Sequence, residues 1–182
     1  KSGAKLLVIR GEGRCFSAGA DVEEHLPRDV AQMLARFRHV ATVLAELPIP
    51  TLVYVHGACM GGALELALVA DFIYAAPATK FGQPEIVLGV LPPLAAAYLP
   101  SQIGLRRTND LLLSGRTIAA EEAAAWGLIN GIADEAAFEG IVASILKKSR
   151  PALLATKRAI AKGRSRGFDA ALRDAIAIYL DE

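Results

Sequence analysis

Apolar residues gather along this chain in two rhythms. Lys5-Leu6-Leu7-Val8-Ile9-Arg10 is an unbroken apolar run bracketed by charge, the pattern of a strand buried on both faces of a parallel sheet. Residues 51–56 and 71–76 repeat it. Between the first two runs, Val30, Met33, Leu34, Phe37, Val40, Ala41, Leu44 and Leu47 fall at three- and four-residue steps. That spacing predicts a helix over residues 27–46, closed by Pro48 and Pro50. A second helix starts inside the glycine-bearing stretch after His56 and reaches about Ala70. Strand, helix, strand, helix, strand predicts βαβ units with right-handed crossovers. Residues 80–90 read as a loop. Helices are expected at 94–102, 105–113, 119–127, 135–149, 151–162 and 168–180.

In parallel sheets of this kind, ligands bind beyond the C-terminal ends of strands. Two turns lie there, after Arg10 and after His56, so Ala20 and Gly62 are expected on one rim. Gly61 and Gly62 have no Cβ, which lets a ligand approach their N–H groups. The start of a helix adds unpaired N–H donors and partial positive charge. An oxygen that gains negative charge during a reaction is stabilised in such a place. Glu65 follows Gly62 by one helical turn. Glu85 stands between Pro84 and Ile86, an odd position for a solvated loop carboxylate.

Composition narrows the class. Of 182 residues, 53% are hydrophobic and 21% charged, enough apolar material for one cored domain. The net charge is +1, so no global field recruits nucleic acid or membrane. The apolar runs are too short, and too interrupted, to span a bilayer. Cys15 and Cys59 form no CxxC and fit a reducing, cytoplasmic setting; both read as small buried apolar residues. His25, His39 and His56 show no metal-ligand spacing, so no metal is expected. Lys157, Arg158, Lys162, Arg164 and Arg166 make the one basic cluster, either a solvated helix face or a phosphate or RNA contact.

Taken together, Ser17-Ala18-Gly19-Ala20-Asp21, Gly61-Gly62-Ala63-Leu64-Glu65-Leu66-Ala67, Phe81-Gly82-Gln83-Pro84-Glu85 and Trp126-Gly127-Leu128-Ile129-Asn130 resemble the enoyl-CoA hydratase/isomerase (crotonase) family. The order and spacing match over essentially the whole chain. The resemblance implies an α/β fold wound as a spiral of ββα repeats with a C-terminal helical region, rather than a doubly wound sheet. It suggests a spiral core over residues 1–130 and a helical region over 131–182 that covers the core and makes oligomer contacts. It implies an acyl-CoA thioester held in an oxyanion hole by the N–H groups of Ala20 and Gly62. Glu65 and Glu85 match the two glutamates of the family's hydratases, which add water to an α,β-unsaturated acyl-CoA. Ala18, Asp21 and Val22 match positions that line the bound CoA. Coenzyme A is then part of the substrate, with no separate cofactor, and a homo-trimer or hexamer is expected. Isomerisation, thioester hydrolysis, or a non-catalytic CoA- or RNA-binding role are the alternatives within the same family.

The sequence departs from the family in two places. The early hairpin and helix that precede the equivalent of Lys5 have no counterpart, so the N-terminal part of the spiral is expected to be missing. The glycine-rich loop after Gly89 is replaced by Pro92-Pro93-Leu94-Ala95-Ala96-Ala97. That replacement looks like the relatives that hydrate cyclic dienoyl-CoA thioesters.

Overall fold

The structure is a computed structural model, and it describes residues 3–19 and 30–164 together with 173, 176 and 177. Its frame is a four-stranded parallel sheet, ordered β1 (Leu7–Arg10), β2 (Thr51–Val55), β4 (Phe72–Ala75) and β7 (Gly131–Ile132). The register pairs Leu7 with Thr51 and Leu52 with Phe72. All five residues of β2 are buried, which is why this segment reads as one continuous apolar run.

The chain does not pass directly from β2 to a helix. It turns at Gly57 into β3 (Ala58–Met60), which belongs to a second sheet with β5 (Lys80–Gly82) and β6 (Thr117–Ala119). Gly57 has a φ of +66°, and a Cβ there would stand 2.5 Å from the Arg14 carbonyl oxygen. Only glycine makes this corner without strain. Ser17 bridges to Cys59, so the segment after β1 joins the second sheet as well.

The architecture is therefore a repeat. A strand in the first sheet is followed by a short extended piece in the second, and then by a helix. The helices are α1 (Val30–Glu46) after Ser17, α2 (Gly62–Ala67) after β3, and α3 (Pro93–Ile103) after β5 and a 3-10 turn over Pro84–Leu88. This is the ββα spiral, and the simple βαβ reading is corrected to it. Residues 80–90 are also not a loop; they hold β5 and the 3-10 turn. The second helix is shorter than its apolar pattern, ending at Ala67.

Beyond α3 come α4 (Leu105–Ser114), α5 (Ala120–Trp126), α6 (Glu135–Leu146) and α7 (Arg150–Arg164). One face of the parallel sheet packs on a core that includes Val53, Leu64, Phe81, Leu94 and Leu99. The other face carries Leu52 and Tyr54 against Phe138 of α6, whose ring centroid lies 4.3 Å from that of Tyr54. α7 is tied down by its base. The Lys157 ammonium donates to Asp71 Oδ2 at 2.6 Å and to the Ile49 carbonyl at 2.9 Å. The expectation of a solvated or phosphate-binding Lys157 is corrected: its ammonium is engaged by Asp71 and the Ile49 carbonyl at the edge of the fold, while Arg158 stays exposed. The helix expected at 168–180 lies largely outside the described residues. Among the described residues, no helix is long and apolar enough to cross a membrane.

Candidate active site

The site forms where the second sheet meets the starts of two helices. Ser17 N–H donates to the Ala58 carbonyl at 3.1 Å, and Met60 N–H donates to the Ser17 carbonyl at 3.2 Å. These bonds lay the segment 17–19 alongside β3. A Cβ on Gly19 would meet the Met60 carbonyl at 3.1 Å and Gly61 Cα at 3.9 Å. Ala18 and Gly19 thus stand beside Gly61 and Gly62. Ala20, Asp21 and Val22, also expected at the site, lie outside the described residues.

Gly61 donates its N–H to the Gly82 carbonyl at 2.9 Å and accepts from Glu65 N–H at 3.0 Å. Gly62 is the first residue of α2, so no carbonyl one turn earlier in the helix is available to its N–H. Glu65, one turn on, is only 4% exposed. Its Oε1 accepts from Leu94 N–H at 2.7 Å and from Ala95 N–H at 2.8 Å. These are first-turn donors of α3, whose N-cap, Pro92, has no capping side chain. A carboxylate from another element takes the place of the cap.

Glu85 comes from the 3-10 turn and is 9% exposed. The fully buried Gln83 amide lies 3.0 Å from both carboxylate oxygens of Glu85, and the amide orientation that satisfies both side chains places its nitrogen there as donor. Glu65 and Glu85 line one chamber of about 100 Å³ together with Ala18, Gly62, Phe37 and Pro93. Burial pushes the Glu65 carboxyl up to about 8; the Ala95 and Leu94 N–H groups oppose the rise, and the charge of Glu85 adds to it. Burial likewise pushes Glu85 up to about 7. Two buried carboxyls raised into the neutral range can each take up or release a proton near neutrality, which suits proton transfer in both directions.

The sequence reading omitted Gln83 and the two α3 donors. An uncharged polar side chain flanked by glycine and proline beside a candidate acid was a usable signal for Gln83. No local signal marks the backbone of Leu94 and Ala95. Cys59 is fully buried in β3, and burial pushes its thiol up, away from thiolate chemistry. Among the described residues, no cluster of three His, Cys, Asp or Glu side chains could hold a metal ion.

With its crossed sheets and helix starts around a carboxylate-lined chamber, the chain has the crotonase-type spiral fold. It superposes on the enoyl-CoA hydratase/isomerase of Mycobacterium paratuberculosis with a TM-score of 0.89 at 28% identity, covering 100% of this chain and 76% of that one. The enoyl-CoA hydratase of Thermoplasma volcanium gives 0.86 at 32% identity, covering 100% and 75%. A family model described as enoyl-CoA hydratase/isomerase matches residues 2–178. The chain belongs to the enoyl-CoA hydratase/isomerase family. Among curated relatives, the cyclohexa-1,5-dienecarbonyl-CoA hydratase of Thauera aromatica is 42% identical over 131 residues, 72% of this chain and 51% of that protein. An enoyl-CoA isomerase/hydratase of Mycosarcoma maydis is 35% identical over 178 residues, 91% of this chain and 65% of that protein. The chain thus spans about half to two thirds of the length of these two relatives.

Proposed function

We propose that this protein adds water across the double bond of an α,β-unsaturated acyl-CoA thioester. One observation carries the reading: two buried carboxyls, both raised into the neutral range, line one small chamber beside the start of α2. In this reading the thioester oxygen accepts from the N–H groups of Gly62 and Ala20. Water sits between Glu65 and Glu85. Its oxygen bonds to the β-carbon while Glu65 takes one of its protons. The double-bond electrons move toward the thioester oxygen, where the N–H donors stabilise the enolate. Glu85 then gives a proton to the α-carbon. The sum is one water added, and the proton passes back between the two carboxyls.

The substrate is proposed to be a short or cyclic acyl-CoA. The relative from Thauera aromatica, named for a cyclic dienoyl-CoA, and Pro93 in the chamber wall support this. Coenzyme A enters as part of the substrate. A homo-trimer or hexamer in a cytoplasmic setting belongs to the same reading, and light scattering tests the oligomer.

The test is absorbance loss with crotonyl-CoA beside cyclohexa-1,5-dienecarbonyl-CoA. Loss with either, abolished in Glu65→Gln, is the expected result. A folded protein silent on both counts against the proposal. The second reading, double-bond isomerisation by the same pair, is favoured by the name of the Mycosarcoma maydis relative. Oxygen-18 from labelled water enters the product only in hydration.

A further inference from the structure

The chamber holding Glu65 and Glu85 abuts a second cavity, an apolar groove of about 650 Å³ between β1, α1 and α2. Among the described residues, three border both spaces: Gly19, Gly62 and Phe37. Two of them have no side chain, so the Phe37 ring is what stands at the junction. The geometry of α1 explains its position. Met33, Leu34 and Phe37 face the chamber, whereas Phe37, Val40, Val43, Leu44 and Leu47 line the groove. These sets follow two adjoining stripes of one helix, and Phe37 is where one stripe gives way to the other.

Size then sets the consequence. The chamber measures about 100 Å³, and a cavity of roughly 150 Å³ takes one benzene ring. The chamber is smaller than that, so it has room for a short acyl group and none for a long alkyl chain. The groove is several times larger and its wall is mostly apolar, with Arg10, Ser17 and His39 as its polar members.

We infer that Phe37 is a specificity-determining residue: its ring closes the carboxylate chamber against the groove and confines the enzyme to short acyl groups. This rests on the acyl-CoA reading above. When the ring is removed, the two spaces merge and a longer chain has an apolar path past Gly19 and Gly62.

The experiment compares the native chain with Phe37→Ala and the conservative Phe37→Leu on trans-2-enoyl-CoA thioesters from butenoyl to hexadecenoyl. The quantity read is the ratio of kcat/KM for dodecenoyl-CoA to that for butenoyl-CoA. In the native chain it is expected to be below about one tenth, and Phe37→Ala is expected to raise it about tenfold or more, with Phe37→Leu between. A native ratio near one overturns the inference, as does a Phe37→Ala variant that changes every chain length by the same factor. If no thioester is hydrated by any of the three, the functional reading itself fails. The partition is then decided by calorimetric binding of saturated butanoyl- and dodecanoyl-CoA. Phe37→Ala must improve the dodecanoyl-to-butanoyl affinity ratio about tenfold, and an unmoved ratio refutes the partition.

Discussion

Glu85 Oε1 lies 2.7 Å from the point where a Cβ on Gly61 would sit. Gly61 also holds a φ of +53°, so its bare backbone is required twice, once for the turn and once for the carboxylate. Gly61→Ala is expected to cost roughly 1–3 kcal/mol of stability from backbone strain. It should also displace Glu85 and lower kcat by about a hundredfold. Thermal unfolding and steady-state kinetics on the same sample separate the two effects.

Glu65→Gln and Glu85→Gln keep the shape of each side chain and remove its ability to carry a proton. Each is expected to lower kcat by about 10²–10⁴-fold, with smaller changes in acyl-CoA affinity. Glu65→Gln retains a carbonyl oxygen for the Leu94 and Ala95 N–H groups, so its far-ultraviolet spectrum should match that of the native chain. Near-native turnover in either variant rules out the two-carboxyl mechanism.

The pair also links stability to pH. Both carboxyls are raised above 4.5 in the folded chain, to about 8 for Glu65 and about 7 for Glu85. Below 4.5 folded and unfolded forms are both protonated, and the groups are neutral to stability. As pH rises past 4.5 the unfolded chain ionises first, so stability falls progressively until the folded groups ionise near 7 to 8. Glu65→Gln removes part of that loss. Its melting temperature relative to the native chain should be higher at pH 8.5 than at pH 4.5, and an equal difference at both values contradicts the raised carboxyl.

Gln83 donates to both oxygens of Glu85 and so favours the carboxylate over the acid. Gln83→Leu removes that support and lets the pair hold its protons more tightly. The bell-shaped profile of kcat/KM against pH is expected to move to higher pH as a whole. A lowered rate with an unmoved profile would show that Gln83 only packs the site.

Far from the chamber, Asp71 Oδ2 accepts from Thr51 N–H at 2.7 Å, from Thr51 Oγ1 at 2.9 Å and from Lys157 at 2.6 Å. Asp71→Ala leaves the two Thr51 donors without their acceptor, while Lys157 keeps the Ile49 carbonyl, and is expected to cost about 1–3 kcal/mol. Turnover by the enzyme that remains folded should keep its native kcat, as read by urea unfolding beside kinetics.

Length and exposure decided what the sequence made legible. β1, β2 and β4 announce themselves because a strand covered on both faces is one apolar run. β3, β5, β6 and β7 are two or three residues long and contain Lys80, Gly82, Thr117 and Gly131. Their pairing is decided by distant partners, so no local pattern reveals them. Without them the spiral reads as a simple sheet. Glu65 is visible from its place in a helix's first turn. Glu85 appears to be a loop carboxylate until β5 and the 3-10 turn bury it. Lys157 shows the converse limit, since a basic run on a helix face gives no sign that Asp71, 86 residues away, pairs with it.

The grip on Glu65 uses only main-chain atoms of residues 94 and 95. The Leu94 and Ala95 side chains are fully buried in the core, so the same two residues anchor the helix and hold the carboxylate. The neighbouring Leu91 and Pro93 line the chamber, so the wall can be refitted there to a new acyl group while the acid–base pair stays where it is. A family that keeps its chemistry and varies its substrates gains from such a division: one stretch of chain holds the reactive group through its backbone and shapes the pocket through its side chains.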